Sequence, residues 1–186
     1  MKKVLLLLAF VACIPMANAQ TVVEGVTLDN NISVMGNELS LNGAGLREKF
    51  WIDLYVGGLY TEARTKDAKM VINADKPMAM KLHIVSARVT KDKMVDAVED
   101  GFENSTNGKQ ESMRAEIDQF KGFFNEEIVE GDIFTIAYVP NTGVVVMKNG
   151  KKKGSIAGLD FKKALFGIWL GNNPADKDVK KGMLGM

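Results

Sequence analysis

Phe50-Trp51-Ile52-Asp53-Leu54-Tyr55-Val56 alternates along its whole length, with Phe50, Ile52, Leu54 and Val56 on one side and Trp51, Asp53 and Tyr55 on the other. An apolar residue at every second position is the pattern of a strand with one face on a core. Downstream, Pro77 opens a second such run, in which Met78, Met80, Leu82 and Ile84 alternate with Ala79, Lys81, His83 and Val85. Ile133 to Val139 is nearly all apolar, as a central strand would be. Gly143–Met147 and Gly154–Ile156 flank Asn149-Gly150, a dipeptide that tolerates the positive φ of a tight hairpin turn. Together these pieces predict a largely antiparallel sheet.

Helical periods lie between the strands. Thr90 can cap a helix with Met94, Ala97, Val98, Gly101 and Phe102 on one stripe, and Asp96, Glu99, Asp100 and Glu103 on an opposite, solvated face. A second helix runs through Met113, Ile117, Phe120 and Phe124. A third starts near Asp160, aligns Phe161, Ala164, Leu165, Ile168 and Trp169, and ends before Asn173-Pro174. Helices with one apolar stripe each predict an α+β fold, with a layer of helices on one side of the sheet. No repeat, low-complexity tract or linker divides residues 20–186, so one domain is expected.

The N-terminus reads differently. Lys2 and Lys3 precede an apolar run from Val4 to Ile14, Pro15 breaks it, and Ala17-Asn18-Ala19 suits signal peptidase. The run is too short for a stable bilayer-spanning helix, so residues 1–19 are expected to be a cleaved secretory signal. An uncleaved anchor and lipidation at Cys13 are the alternatives, the latter disfavoured by Phe10 three places before the cysteine. The expected destination is a periplasm or the cell exterior, with no integral membrane segment after cleavage.

Charge and composition exclude several functions. The 186 residues carry 24 basic and 23 acidic side chains, one histidine and one cysteine, for a formal charge of +1. No basic excess marks a nucleic-acid surface. A lone cysteine and a lone histidine supply neither a disulfide framework nor a zinc site. Gly43-Ala44-Gly45-Leu46-Arg47 lacks the third glycine of a dinucleotide loop, and no phosphate loop or nucleophile elbow occurs. His83 has no partner motif, and Lys148 with Lys151–Lys153 reads as an exposed turn. The residues alone therefore name no catalytic constellation, metal or cofactor. The methionines on apolar faces, Met70, Met78, Met80, Met94, Met113 and Met147, suit an irregular core or an adaptable pocket for a chain-like ligand.

Three stretches together resemble the chalcone isomerase-like family. They are Gly43–Arg47 running into Phe50–Tyr60, Gly131–Pro140 running into Asn149-Gly150, and Phe161-Lys162-Lys163-Ala164-Leu165-Phe166-Gly167-Ile168-Trp169-Leu170-Gly171-Asn172-Asn173-Pro174. The last looks like the form found in secreted bacterial members. The resemblance implies an open-faced sandwich with a ligand cleft between sheet and helices. The family contains enzymes that close a chalcone into a flavanone and non-catalytic members that bind fatty acids.

By this resemblance Arg47 faces the cleft and meets a phenolate or carboxylate, a task that suits a permanently charged group with paired donors. Tyr55 matches the fatty-acid binders, where the enzymes carry threonine. The enzymes' tyrosine and asparagine would fall near Met94 and Gly101, and their C-terminal helix threonine at Ile168. The resemblance thus implies a non-catalytic binder of a fatty acid or similar amphipathic anion. Arg47 and Tyr55 would hold the head, and the Met78–Ile84 strand and the Phe161–Trp169 helix would bury the tail, with Met94, Ile168 and Trp169 in the site. An intramolecular lyase acting on a phenolic substrate is one alternative, and a structural or partner-binding envelope module another. Eight residues of straight strand span roughly 26 Å. Arg47 and Tyr55 can therefore share a ligand only if the chain turns between them.

Overall fold

The computed structural model describes residues 20–186; the expected signal segment 1–19 and Cys13 lie outside the described residues. A short hairpin, β1 (Gln20–Val23) and β2 (Val26–Asp29), precedes a seven-stranded sheet. Its strands are β3 (Asn31–Val34), β4 (Asn37–Lys49), β5 (Ile52–Thr61), β6 (Met78–Ile84), β7 (Ile133–Val139), β8 (Gly143–Lys148) and β9 (Lys151–Ile156). They lie in chain order, and every neighbouring pair is antiparallel. Helices interrupt this meander twice and follow its last strand. Helix α1 (Ala68–Asn73) follows β5, and α2 (Lys91–Thr106), a 3-10 turn (Gln110–Met113) and α3 (Arg114–Gly122) follow β6. Helices α4 (Leu159–Leu170) and α5 (Lys177–Met183) follow β9. The fold is the expected open-faced α+β sandwich.

Period-2 alternation sorts β6 as the sequence predicts. Met78, Met80, Leu82 and Ile84 enter the large core beneath the helices, while Ala79 joins a smaller cluster on the far face with Leu28, Val34, Leu39 and Leu41. Thr90 caps α2, its hydroxyl accepting from the Lys93 N–H, and Asn149 (φ 50°) and Gly150 (φ 76°) form the β8–β9 turn. Phe102, Phe120, Phe124 and Phe161 fill the space under the helices, with edge contacts such as Phe102–Phe120 at 6.1 Å between ring centroids.

Three local expectations are corrected. Phe50 and Trp51 are not in a strand; both have positive φ (53° and 58°) and form the β4–β5 turn. Across that hairpin Arg47 faces Tyr55 and Glu48 faces Asp53, leaving Leu54 as a bulge. The bulge ends the alternation: Tyr55 joins the helix-side core and Val56 the far-side cluster. The acidic face of α2 is not simply solvated either, because Glu99 accepts from Arg114 (2.7 Å) and Lys121 (2.8 Å) and so ties α2 to α3. Lys148 and Lys153 likewise pair with Asp132 (2.9 Å) and Glu126 (2.6 Å).

Gly43-Ala44-Gly45 lies inside β4, where α5 crosses the strand at backbone contact distance. A Cβ on Gly43 would overlap the Gly182 carbonyl oxygen, and one on Gly45 would stand 3.0 Å from Val179 Cα. Both obstacles are backbone and cannot rotate away. Gly43→Ala is expected to destabilise the fold by about 1 to 3 kcal/mol through overpacking, read as a lower urea midpoint at unchanged slope.

Lys162 is the most unexpected core residue, with 0% of its surface exposed. Its ammonium donates to the carbonyls of Val71 (2.6 Å), Ile72 (2.9 Å) and Ala74 (2.9 Å), the orphan acceptors at the end of α1. The Phe166 ring lies 5.1 Å from it and the Tyr138 ring 5.4 Å. One side chain on α4 thereby terminates α1.

Candidate functional site

The β4–β5 turn brings Arg47 and Tyr55 side by side as register partners, with the guanidinium 5.5 Å from the centroid of the Tyr55 ring. From α4, Trp169 Nε1 donates to Tyr55 Oη at 2.7 Å in a buried hydrogen bond. Burial pushes the Tyr55 phenol's pKa up, and the Arg47 charge and the indole bond oppose that shift. The phenol is neutral at physiological pH. Arg47 is half-buried, and among the described residues no carboxylate lies within ion-pair distance of it. Its cation and fork of donors are thus available beside an aromatic floor.

Arg47 and Tyr55 form part of the lining of a cleft of about 670 Å³ at the end of the sheet. Phe50, Ile52 and Leu54 supply one apolar wall, and Val89, Met94 and Ala97 the opposite one. Lys49, Arg88 and Lys93 add positive charge, against Asp96 and Asp100. The volume lies within the 300 to 1,000 Å³ usual for small-molecule sites. Behind the Tyr55–Trp169 layer lies only a void of about 20 Å³, room for about one water, walled by Phe120, Phe124 and Ile136 among others. Among the described residues no group of acidic, histidine or cysteine side chains could hold a metal, and no helix is long and apolar enough to cross a membrane.

The chain that folds into this antiparallel meander, with helices on one face and a cleft at its end, matches the chalcone isomerase-like family over residues 20–185. The chain belongs to the chalcone isomerase-like family. A comparison with curated proteins finds no match. Among solved structures, this chalcone isomerase-like chain is similar to the crystal structure of an Arabidopsis thaliana fatty-acid binding protein. The TM-score is 0.70 at 16% identity, over 89% of this chain and 96% of that one. At such identity the likeness concerns the fold.

Of the residues expected at the site, Arg47, Tyr55 and Met94 border both the cleft and the inner void, whereas Ile168 and Trp169 reach only the void. The space flanked by the Met78–Ile84 strand and α4 is packed with aromatic rings instead of being open. Ile168 itself closes on Gly101, where a Cβ would stand 2.8 Å from its Cγ2. The apolar wall is therefore displaced outward, onto the β4–β5 hairpin and α2. Lys49, Phe50, Ile52, Arg88 and Lys93 were not legible as site residues because the turn that carries or faces them reads as mid-strand.

Proposed function

We propose that this chalcone isomerase-like protein is a non-catalytic carrier of a fatty acid or similar amphipathic anion. The observation that carries this reading is the half-buried Arg47, free of a carboxylate partner among the described residues, at the floor of an apolar-walled cleft. A carboxylate there replaces water with charge-assisted hydrogen bonds, and the tail lies along Phe50, Ile52, Leu54 and Met94, each buried methylene contributing about 0.8 kcal/mol. The likeness to a fatty-acid binding protein supports the ligand class. Ile168 packed on Gly101 supports the absence of catalysis, since hydrocarbon occupies the positions where the enzymes of the family are expected to place polar groups. Residues 1–19 are proposed to direct export and to be cleaved after Ala19, a reading that rests on Lys2-Lys3, the apolar Val4–Ile14 run and Ala17-Asn18-Ala19.

Native mass spectrometry and organic extraction of the purified protein are expected to recover a long-chain acid. Repeated recovery of none, together with no uptake of added fatty acid, overturns the reading. Measurable cyclisation of a chalcone would instead favour the lyase. The ring-filled interior supports a second reading, a structural module without a ligand, and the same uptake experiment separates the two.

A further inference from the structure

Among the described residues, four hairpins close with two-residue turns, and three of them place glycine second: Glu24-Gly25 (φ 46°, 76°), Met35-Gly36 (φ 52°, 80°) and Asn149-Gly150 (φ 50°, 76°). The fourth is Phe50-Trp51 (φ 53°, 58°). A bulky side chain at positive φ strains the backbone, and Asn-Gly would form this turn without that strain. Nor does packing explain the two aromatics, since Phe50 is 78% and Trp51 91% exposed. Strain of this kind, kept where folding gains nothing from it, points to function.

The hairpin is also a finger. Strand β6 stops at Ile84, opposite Tyr55, so the rows Glu48–Asp53 and Lys49–Ile52 and the turn project beyond the sheet by roughly 10 Å. Its tip is Phe50, Trp51 and the 39% exposed Ile52. On the cleft side of the finger stand Arg47 and Lys49, with Arg88 and Lys93 across the mouth, four cations against the carboxylates of Asp96 and Asp100. Glu48 and Asp53, paired with each other, do not line that side. An exposed aromatic tip with a cluster of cations on its cleft side fits the interface of an anionic phospholipid bilayer, where indole rings lie at headgroup depth and lysine and arginine meet phosphate.

We propose that the Phe50–Ile52 finger docks the cleft mouth onto an anionic membrane surface. The inference stands on turn chemistry, exposure and charge, and does not require the cleft to be occupied. If it is, ligand passes between bilayer and cleft without crossing bulk water.

The test is co-sedimentation with vesicles of phosphatidylcholine mixed with phosphatidylglycerol, using wild type and Trp51→Gly, the glycine that the other three hairpins already use. Wild type is expected to bind, less at high salt and less to phosphatidylcholine alone, with a blue shift of the exposed tryptophan's fluorescence and its quenching by brominated acyl chains. Trp51→Gly is expected to bind about tenfold more weakly or worse, because it loses the aromatic that enters the bilayer interface, while melting no lower than wild type, because it relieves the turn. Failure of wild type to bind anionic vesicles, or equal binding by the variant, overturns the proposal. So does sedimentation equilibrium showing a wild-type dimer that Trp51→Gly dissolves, which would make the finger a contact between copies. Palmitate uptake in vesicle-free solution reports separately on the carrier reading.

Discussion

Lys162→Ala is expected to lower the unfolding free energy by about 2 to 4 kcal/mol, a large share of the 5 to 15 kcal/mol typical of a domain. The substitution deletes a buried four-carbon stem packed on Tyr138 and Phe166 and leaves the carbonyls of Val71, Ile72 and Ala74 without their donor. Part of the loss is offset, because the wild type bears the cost of burying an ammonium. Lys162→Met separates the contributions: it restores most of the volume and leaves the carbonyls orphaned, so it should cost about 1 to 3 kcal/mol. Urea unfolding of the three proteins checks the order wild type, Met, Ala. Equal stability of wild type and Ala would mean that α1 ends without this donor.

The same residue gives a pH dependence. Burial pulls the Lys162 pKa down to about 8, with Asp75 opposing, whereas the unfolded lysine titrates near 10.4. Below about pH 8 both states hold the proton and the burial cost is fully present. Between about 8 and about 10.4 the folded state sheds the proton first, so the unfolded state binds more protons and stability rises with pH. Relative to Lys162→Met, the wild type is expected to gain stability across that window. A difference that stays flat from neutral pH upward contradicts the shift.

Arg47→Ala is expected to weaken binding of a long-chain carboxylate by about thirty- to a hundredfold. A guanidinium–carboxylate contact in a half-buried site contributes about 2 to 3 kcal/mol, and each 1.4 kcal/mol is tenfold in Kd. Stability should hardly change, since Arg47 bonds no protein carboxylate among the described residues and its loss orphans none. Titration calorimetry with palmitate, alongside a melting curve, separates loss of the head-group contact from loss of fold. Unchanged affinity in a folded variant would assign the head group elsewhere, with Lys49, Arg88 and Lys93 as the remaining cations of the cleft.

What the sequence disclosed, it disclosed where periodicity and turn chemistry agreed. The β6 run, the Asn149-Gly150 turn and the Thr90 cap each carry the residue type that their local geometry favours, and each forms as expected. The β4–β5 hairpin was hidden because its turn is made of Phe50 and Trp51, residues that ordinarily mark strands. The Leu54 bulge then shifts the faces, which no alternation rule registers. Gly43 and Gly45 suggest a turn, but they are glycines because α5 backbone lies on them, a contact made across more than a hundred residues of chain. Helices α1 and α5 are too short to show a period; they are held by the Asp67 and Asp176 caps and, for α1, by Lys162. Lys162-Lys163 looks like a solvated pair until α1 is docked. For the site, Arg47 and Tyr55 were found through family resemblance, and their convergence needed a turn that the sequence disguises.

Paired calorimetric titrations of palmitate and methyl palmitate into the wild-type protein bear most directly on the central claim, that the cleft recognises an anionic head at Arg47 and an apolar tail beside it. The two ligands share a tail and differ in the charge. Palmitate is expected to bind and the ester to bind at least about tenfold more weakly, a gap that Arg47→Ala closes. Equal affinities for acid and ester, or binding of neither, would contradict the account.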